Sequence, residues 1–136
     1  MADRLHLLAE TDADLPVISA LMQDAAIFAR DIAWQPRARR IVMIANRYRW
    51  EARQKTRVRS GLRIDNVLAA RRRDWPLDNV ILALLSIRRD GDDLLLDFSG
   101  GAALRLTVEA VDMVLEDLTG AWGTKPRRST AANFDL

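Results

Sequence analysis

Residues 41–50 read Ile-Val-Met-Ile-Ala-Asn-Arg-Tyr-Arg-Trp, and the alternation in this stretch decides the fold class. Val42, Ile44, Asn46, Tyr48 and Trp50 fall on one side of an extended chain, with Ile41, Met43, Ala45, Arg47 and Arg49 on the other. Branched and aromatic side chains suit a pleated surface, so a long strand is expected. Upstream, Phe28, Arg30, Ile32 and Trp34 alternate in the same way until Gln35-Pro36, which predicts a hairpin partner. Downstream, Leu62, Ile64, Asn66, Leu68 and Ala70 alternate with Arg63, Asp65, Val67, Ala69 and Arg71. This predicts a third member of the sheet beyond a polar, basic connection from Glu51 to Ser60.

Further out, Val80 to Ile87 (VILALLSI) is apolar on both faces and is expected as the most buried strand. Asp90-Gly91 is a hairpin turn signal, Ser99-Gly-Gly101 a second turn, and the alternation at Leu94, Leu96, Phe98 and then Leu104, Leu106, Val108 completes a meander. Near the start, Arg4 to Glu10 reads as a short strand. Thr11-Asp-Ala-Asp14 has capping-box spacing, and Leu15, Ile18, Leu21, Met22 and Ala25 then share one helical face. Val111, Val114, Leu115 and Leu118 have helical spacing too, with Gly120 as a stop. The expectation is an α+β domain over residues 1–122: a curved, mainly antiparallel sheet or split barrel of about six or seven strands, one helix near each end. That succession is like the pleckstrin-homology-type barrel; the polar segment 123–136 is expected to be disordered.

The 136 residues are 49% hydrophobic and 29% charged, so the chain can bury a core. It has no cysteine and one histidine, which leaves no disulfide, thiolate metal site or thiol nucleophile. No phosphate-cradling, zinc-protease or nucleophile-elbow motif occurs, and neither a metal nor a cofactor is expected. His6 sits among leucines as an edge or outer-face residue, and Asp90, Asp92 and Asp93 read as a solvated hairpin tip, too few to make a calcium cage. The opening Met1-Ala-Asp-Arg leads into no apolar segment of signal-peptide length, and no apolar run is long enough to span a membrane, so a cytoplasmic location is expected.

Charge is unevenly laid out. Between Arg37 and Arg73 thirteen basic residues meet two acids, a surplus of eleven; elsewhere eight basic residues meet seventeen acids, leaving the whole at +2. Nineteen of the 21 basic residues are arginine, suited to forked pairing with carboxylate or phosphate. The candidate partner-binding residues are therefore Arg47, Arg49, Arg53, Arg57, Arg59 and Arg63, extended by Arg71, Arg72 and Arg73. Internal pairing, or pairing across a homo-oligomer, competes with this assignment. Strand parity separates Arg47, Arg49 and Arg53 from Tyr48 and Trp50, which argues against a stacking platform within that strand. Trp34 and Trp50 are expected in the core, Trp75 and Trp122 as interface aromatics. Together these features point to a non-enzymatic binding or adaptor domain that engages an acidic protein or other anionic partner. RNA or DNA binding is the alternative, and carboxylate enzyme chemistry at Asp31, Asp65 or Asp74 the second alternative; that third class needs a pocket around an acid with a raised pKa.

Four stretches, RDIAWQ at Arg30 to Gln35, RYRWE at Arg47 to Glu51, RSGLRIDNV at Arg59 to Val67 and LTVEAVDMVLEDL at Leu106 to Leu118, resemble a family of small alphaproteobacterial proteins, the domain of unknown function numbered 2948. The resemblance runs from about Leu5 to Trp122. It implies a bacterial cytoplasmic protein and carries no activity, cofactor or site residue.

Overall fold

The computed structural model describes residues 4–50 and 56–118. Among these residues it holds ten strands in one antiparallel sheet: β1 (His6–Ala9), β2 (Ala26–Phe28), β3 (Ile32–Gln35), β4 (Arg40–Tyr48), β5 (Arg57–Ile64), β6 (Val67–Arg73), β7 (Ile81–Asp90), β8 (Asp93–Phe98), β9 (Ala103–Val108) and β10 (Met113–Asp117). The single α-helix of the described residues, α1 (Leu15–Leu21), follows a 3-10 turn at Asp12–Asp14. Asp14 closes that start as the sequence predicts: its carboxylate accepts from the backbone N–H of Glu10 and Thr11 and from the Thr11 hydroxyl at 2.9–3.1 Å. The helix puts Leu15 and Ile18 into the core, Met22 and Ala25 follow them, and it ends earlier than the periodicity suggests.

The sheet order is β1-β10-β5-β4-β2-β7-β8-β9-β6, with β3 paired to β4 off this path. β5 and β6 stand third and ninth in that order, yet Ile64 and Val67 are joined by only Asp65 and Asn66. Six strand spacings in a flat sheet would be about 29 Å, whereas three residue steps reach at most ~11 Å. The sheet therefore curls round on itself, without closing. Asn66 makes the corner with φ of 59°, and the β9–β10 connection turns beside it: Asn66 O accepts from Glu109 N and Asp112 O from Asp65 N.

The sheet lines one continuous core. Ile41, Met43, Leu62, Ile64, Met113 and Leu115 face Leu82, Leu84, Leu94, Leu96, Leu104 and Leu106, and Ile18 and Met22 of α1 join the same cluster.

Several expectations are corrected. Among the described residues there are ten strands where six or seven are expected, and the pleckstrin-homology-type likeness fails because the residues expected to form the sealing helix are themselves part of the sheet. Residues 113–117, expected as that helix, are β10, hydrogen-bonded between β1 and β5. Val111, Met113, Leu115 and Asp117 point inward, a period of two hidden by the acid at its end. The expected strand from Ile27 to Trp34 is broken: Ala26 faces Asn46 but Ile32 faces Met43, so six residues of one strand span three of the other. The surplus three, Ala29–Asp31, arch out as a 3-10 turn. The single strand expected over 62–71 is two strands, with Val67 buried and Leu68 exposed. β7 joins the two halves, but it is buried on one face only: Ile81 and Leu85 are 57% and 47% exposed. The 123–136 segment lies outside the described residues.

Candidate functional site

The expected arginines separate into three environments. Arg47 points into the core with the inward parity of Ile41, Met43 and Ala45 and is 0% exposed. Its Nε donates to Ser60 Oγ and Asp117 Oδ1, both at 3.1 Å, its Nη2 to Asp117 Oδ2 at 3.2 Å and its Nη1 to Tyr48 O. Ser60 Oγ donates to Asp117 Oδ1 at 2.7 Å, and Asp117 Oδ2 also accepts from Leu5 N. Arg47 is thus a structural cation; its place in an exposed partner-binding face is corrected by this burial. In the sequence, the local surplus of basic residues gives it the look of a surface cation.

Arg63 and Arg40 share Asp65 at 2.9 and 2.7 Å, and Arg39 meets Glu109 at 3.0 Å. Arg71 and Arg105 share Asp93, and Arg105 also holds Asp90 at 2.9 Å. Asp90 and Asp93 of the β7–β8 hairpin are therefore arginine ligands. Hydrogen bonds from Thr107 and Arg105 hold the Asp93 carboxyl below its ordinary pKa. Arg71, Arg73 and Arg105 border an open groove of about 340 Å³ on the β6–β9 half.

Arg57 and Arg59 form the third group. β5 begins at Arg57, within the stretch expected as a connection, and its outward positions lie beside the outward positions of β4: Tyr48 faces Arg57 and Asn46 faces Arg59. The Arg57 guanidinium lies 5.3 Å from the Tyr48 ring centroid and donates to Asn46 O at 3.1 Å. Tyr48 stacks on Trp50, centroids 4.9 Å apart and planes at 28°. Trp50, expected in the core, is 49% exposed, anchored by its indole N–H on Gln23 O at 3.2 Å. Arg30 caps the outward Phe28 ring at 4.4 Å. Rings and cations thus share one outer face, because the cations come from β5 and the 3-10 turn. Arg49 lies beside them with its Nη1 on Thr56 and its buried Nε without a partner among the described residues.

Beneath this face is a cavity of about 170 Å³ lined by Phe28, Asp31, Ile44, Asn46, Arg59 and Ile81 with two alanines. The arch at Ala29–Asp31 swings Asp31 over it. Burial raises the Asp31 pKa above its ordinary value, against the pull of Arg30 and Arg59. Asp31 and Arg59 make no mutual ion pair within 4 Å, and neither side chain has a hydrogen bond among the described residues.

Trp75 packs edge-on against Phe98 at 5.6 Å, with Arg72 5.9 Å from its centroid, so it belongs to the margin of the core. Arg53 and Trp122 lie outside the described residues. His6 is exposed on β1 opposite Glu116. Among the described residues no three His, Asp or Glu side chains are placed to hold a metal ion, and no helix is long and apolar enough to cross a membrane.

A family model described as "Protein of unknown function (DUF2948)" matches residues 5–129. No curated protein and no solved structure matches the chain.

Proposed function

We propose that this chain, which belongs to the DUF2948 family of proteins of unknown function, is a non-enzymatic binding protein that takes single-stranded nucleic acid on the outer face of β2, β4 and β5. The observation that carries the proposal is the register of Tyr48 against Arg57, with Trp50 stacked on Tyr48 and exposed. A flexible nucleic acid strand needs planar surfaces for its bases and cations for its phosphates. Here both occur on adjacent strands, so the argument from β4 parity alone no longer weighs against stacking. A carboxylate-rich protein, the first expectation from sequence, would answer the arginines but leave the ring stack without a planar partner. The proposal keeps the one-domain, cytoplasmic adaptor expected from sequence.

Carboxylate enzyme chemistry has one observation in its favour, the raised pKa of Asp31 beside a cavity. Among the described residues that cavity presents no second proton-transfer group beside Asp31. The binding function therefore has the better support.

The test is binding of the purified full chain to a labelled uridine-rich RNA oligonucleotide across a salt series, with polyglutamate as competitor. Log affinity should fall linearly with log salt, by about 0.7 per neutralised phosphate, and Arg57→Gln should lower that slope by about one such step. Trp50→Ala should weaken binding about tenfold and leave the slope unchanged. Salt-independent binding, equal displacement by polyglutamate, or two folded variants that bind like the parent would each overturn the proposal.

A further inference from the structure

We infer that the cavity under the arch at Ala29–Asp31 is a base-reading pocket whose complementary base is guanine; this rests on the nucleic-acid function proposed above. Asp31 and Arg59 line the same cavity from opposite origins, one on the 3-10 turn after β2 and the other on β5. They are oppositely charged and do not pair with each other. The pocket therefore presents one acceptor pair and one donor fork to the same small space.

Its size and walls select a flat apolar body. The volume of about 170 Å³ suits a single ring system, and Phe28, Ile44 and Ile81 form apolar walls for ring faces. The edges select the base. A carboxylate only accepts, so it needs donors side by side; guanine offers N1–H and the N2 amino group next to each other. The O6 and N7 acceptors of the same base match an arginine fork. Adenine places an acceptor beside its single amino group, cytosine gives the carboxylate one donor site, and uracil sets its N–H between two carbonyls. Burial raises the Asp31 pKa, the condition of a carboxylate short of donors.

The pocket also lies in line with the stacking surface. Asn46 at its rim and Tyr48 in the ring stack are successive outward positions on β4, about 6.8 Å apart. A base held at Asp31 thus leaves its neighbour within reach of Tyr48 and Trp50.

The experiment measures affinity of the full chain for four eleven-nucleotide RNAs that are uridine throughout except for G, A, C or U at the centre, with an inosine version lacking the N2 amino group. The guanine oligonucleotide should bind about tenfold tighter than the others, and inosine should lose most of that gain. Asp31→Asn should abolish the preference, so that the variant binds the guanine and the all-uridine oligonucleotides with equal affinity; Arg59→Gln should reduce the preference by a similar factor. Equal affinity for all centres would overturn the pocket assignment and leave the binding function standing. No binding to any oligonucleotide would overturn both. Asp31→Asn removes an unfavourably buried charge, so loss of fold does not confound this variant.

Discussion

Arg47 and Asp117, seventy positions apart in the chain, form a buried ion pair with Nη2 3.1 Å from Oδ1. The pair ties the inner face of β4 to that of β10, with Ser60 of β5 between them. Asp117 also receives Leu5 N and donates its own N–H to Leu5 O, which fastens the start of β1 to the same point. Four strands thus converge on one carboxylate.

Removing that carboxylate takes from the buried guanidinium the counter-charge that Asp117 supplies, which typically costs about 3–5 kcal/mol. Asp117→Ala should lower stability by that amount in urea unfolding. The double variant Arg47→Met, Asp117→Leu should be less destabilised than Asp117→Ala alone, since no buried charge is stranded. A single-variant loss below about 1 kcal/mol would contradict the buried pair.

Asp31 should oppose stability at neutral pH. Its folded pKa lies above the ordinary 3.8 because burial penalises the charged form. Folding therefore favours the protonated carboxyl, and the penalty is fully present above the folded pKa and disappears as pH falls below 3.8. Asp31→Asn should raise Tm at neutral pH, with the gain shrinking toward acid. Thermal unfolding of parent and variant from about pH 4 to about pH 8 checks the sign; a variant less stable than the parent at neutral pH would refute it.

Asp93 should behave in the opposite way. The Thr107 hydroxyl first, then Arg105, hold its carboxyl below 3.8, so its contribution is complete above that value and is lost as pH falls through the lowered folded pKa. Asp93→Asn should lower the urea midpoint at neutral pH, and the two curves should converge in strong acid. Parallel curves at all pH values would show that the carboxylate is not the stabilising group.

Gly91 turns the β7–β8 hairpin with φ of 63°, and Asp90 faces Asp93 across it. A side chain there meets open space but must adopt a left-handed backbone, at a cost of about 1–2 kcal/mol. Gly91→Ala should lose about that much in urea unfolding, whereas Gly91→Asn should lose less.

The parts legible in sequence are those where local pattern and final environment agree. β4 alternates cleanly, Thr11 and Asp14 announce the helix start, and Asp90-Gly91 announces a two-residue turn; each is found where expected. The start of β5 and the whole of β10 are hidden by one cause. Ser60 sits at an inward position of β5 and Asp117 at an inward position of β10, so the apolar alternation stops one step early on both strands. β5 starts at Arg57, inside the expected connection from Glu51 to Ser60, and β10 is a strand where a helix is expected, because their polar core residues look like surface in the sequence. Val58, Leu62 and Ile64, and Val111, Met113 and Leu115, held the missing signal at a period of two.

The candidate face was half legible. Arginine abundance singled out Arg57 and Arg59, but not which arginines carboxylates neutralise: Arg63 meets Asp65 two residues away, whereas Arg47 meets Asp117 seventy away. The Tyr48–Arg57 neighbourhood depends on inter-strand register, and the Asp31 pocket on a three-residue arch, neither of which periodicity encodes.

By itself the sequence determined a thiol-free chain with a strand-rich core, a capped helix and a concentrated arginine segment, since these follow from composition and from patterns within a few residues. Only the tertiary structure decided which charge is buried, which rings meet which cations, and how a two-residue corner at Asp65-Asn66 curls ten strands into one sheet. Those outcomes are set by pairings between distant segments, where a buried carboxylate and its guanidinium gain from each other what neither gains from its own neighbours in the chain.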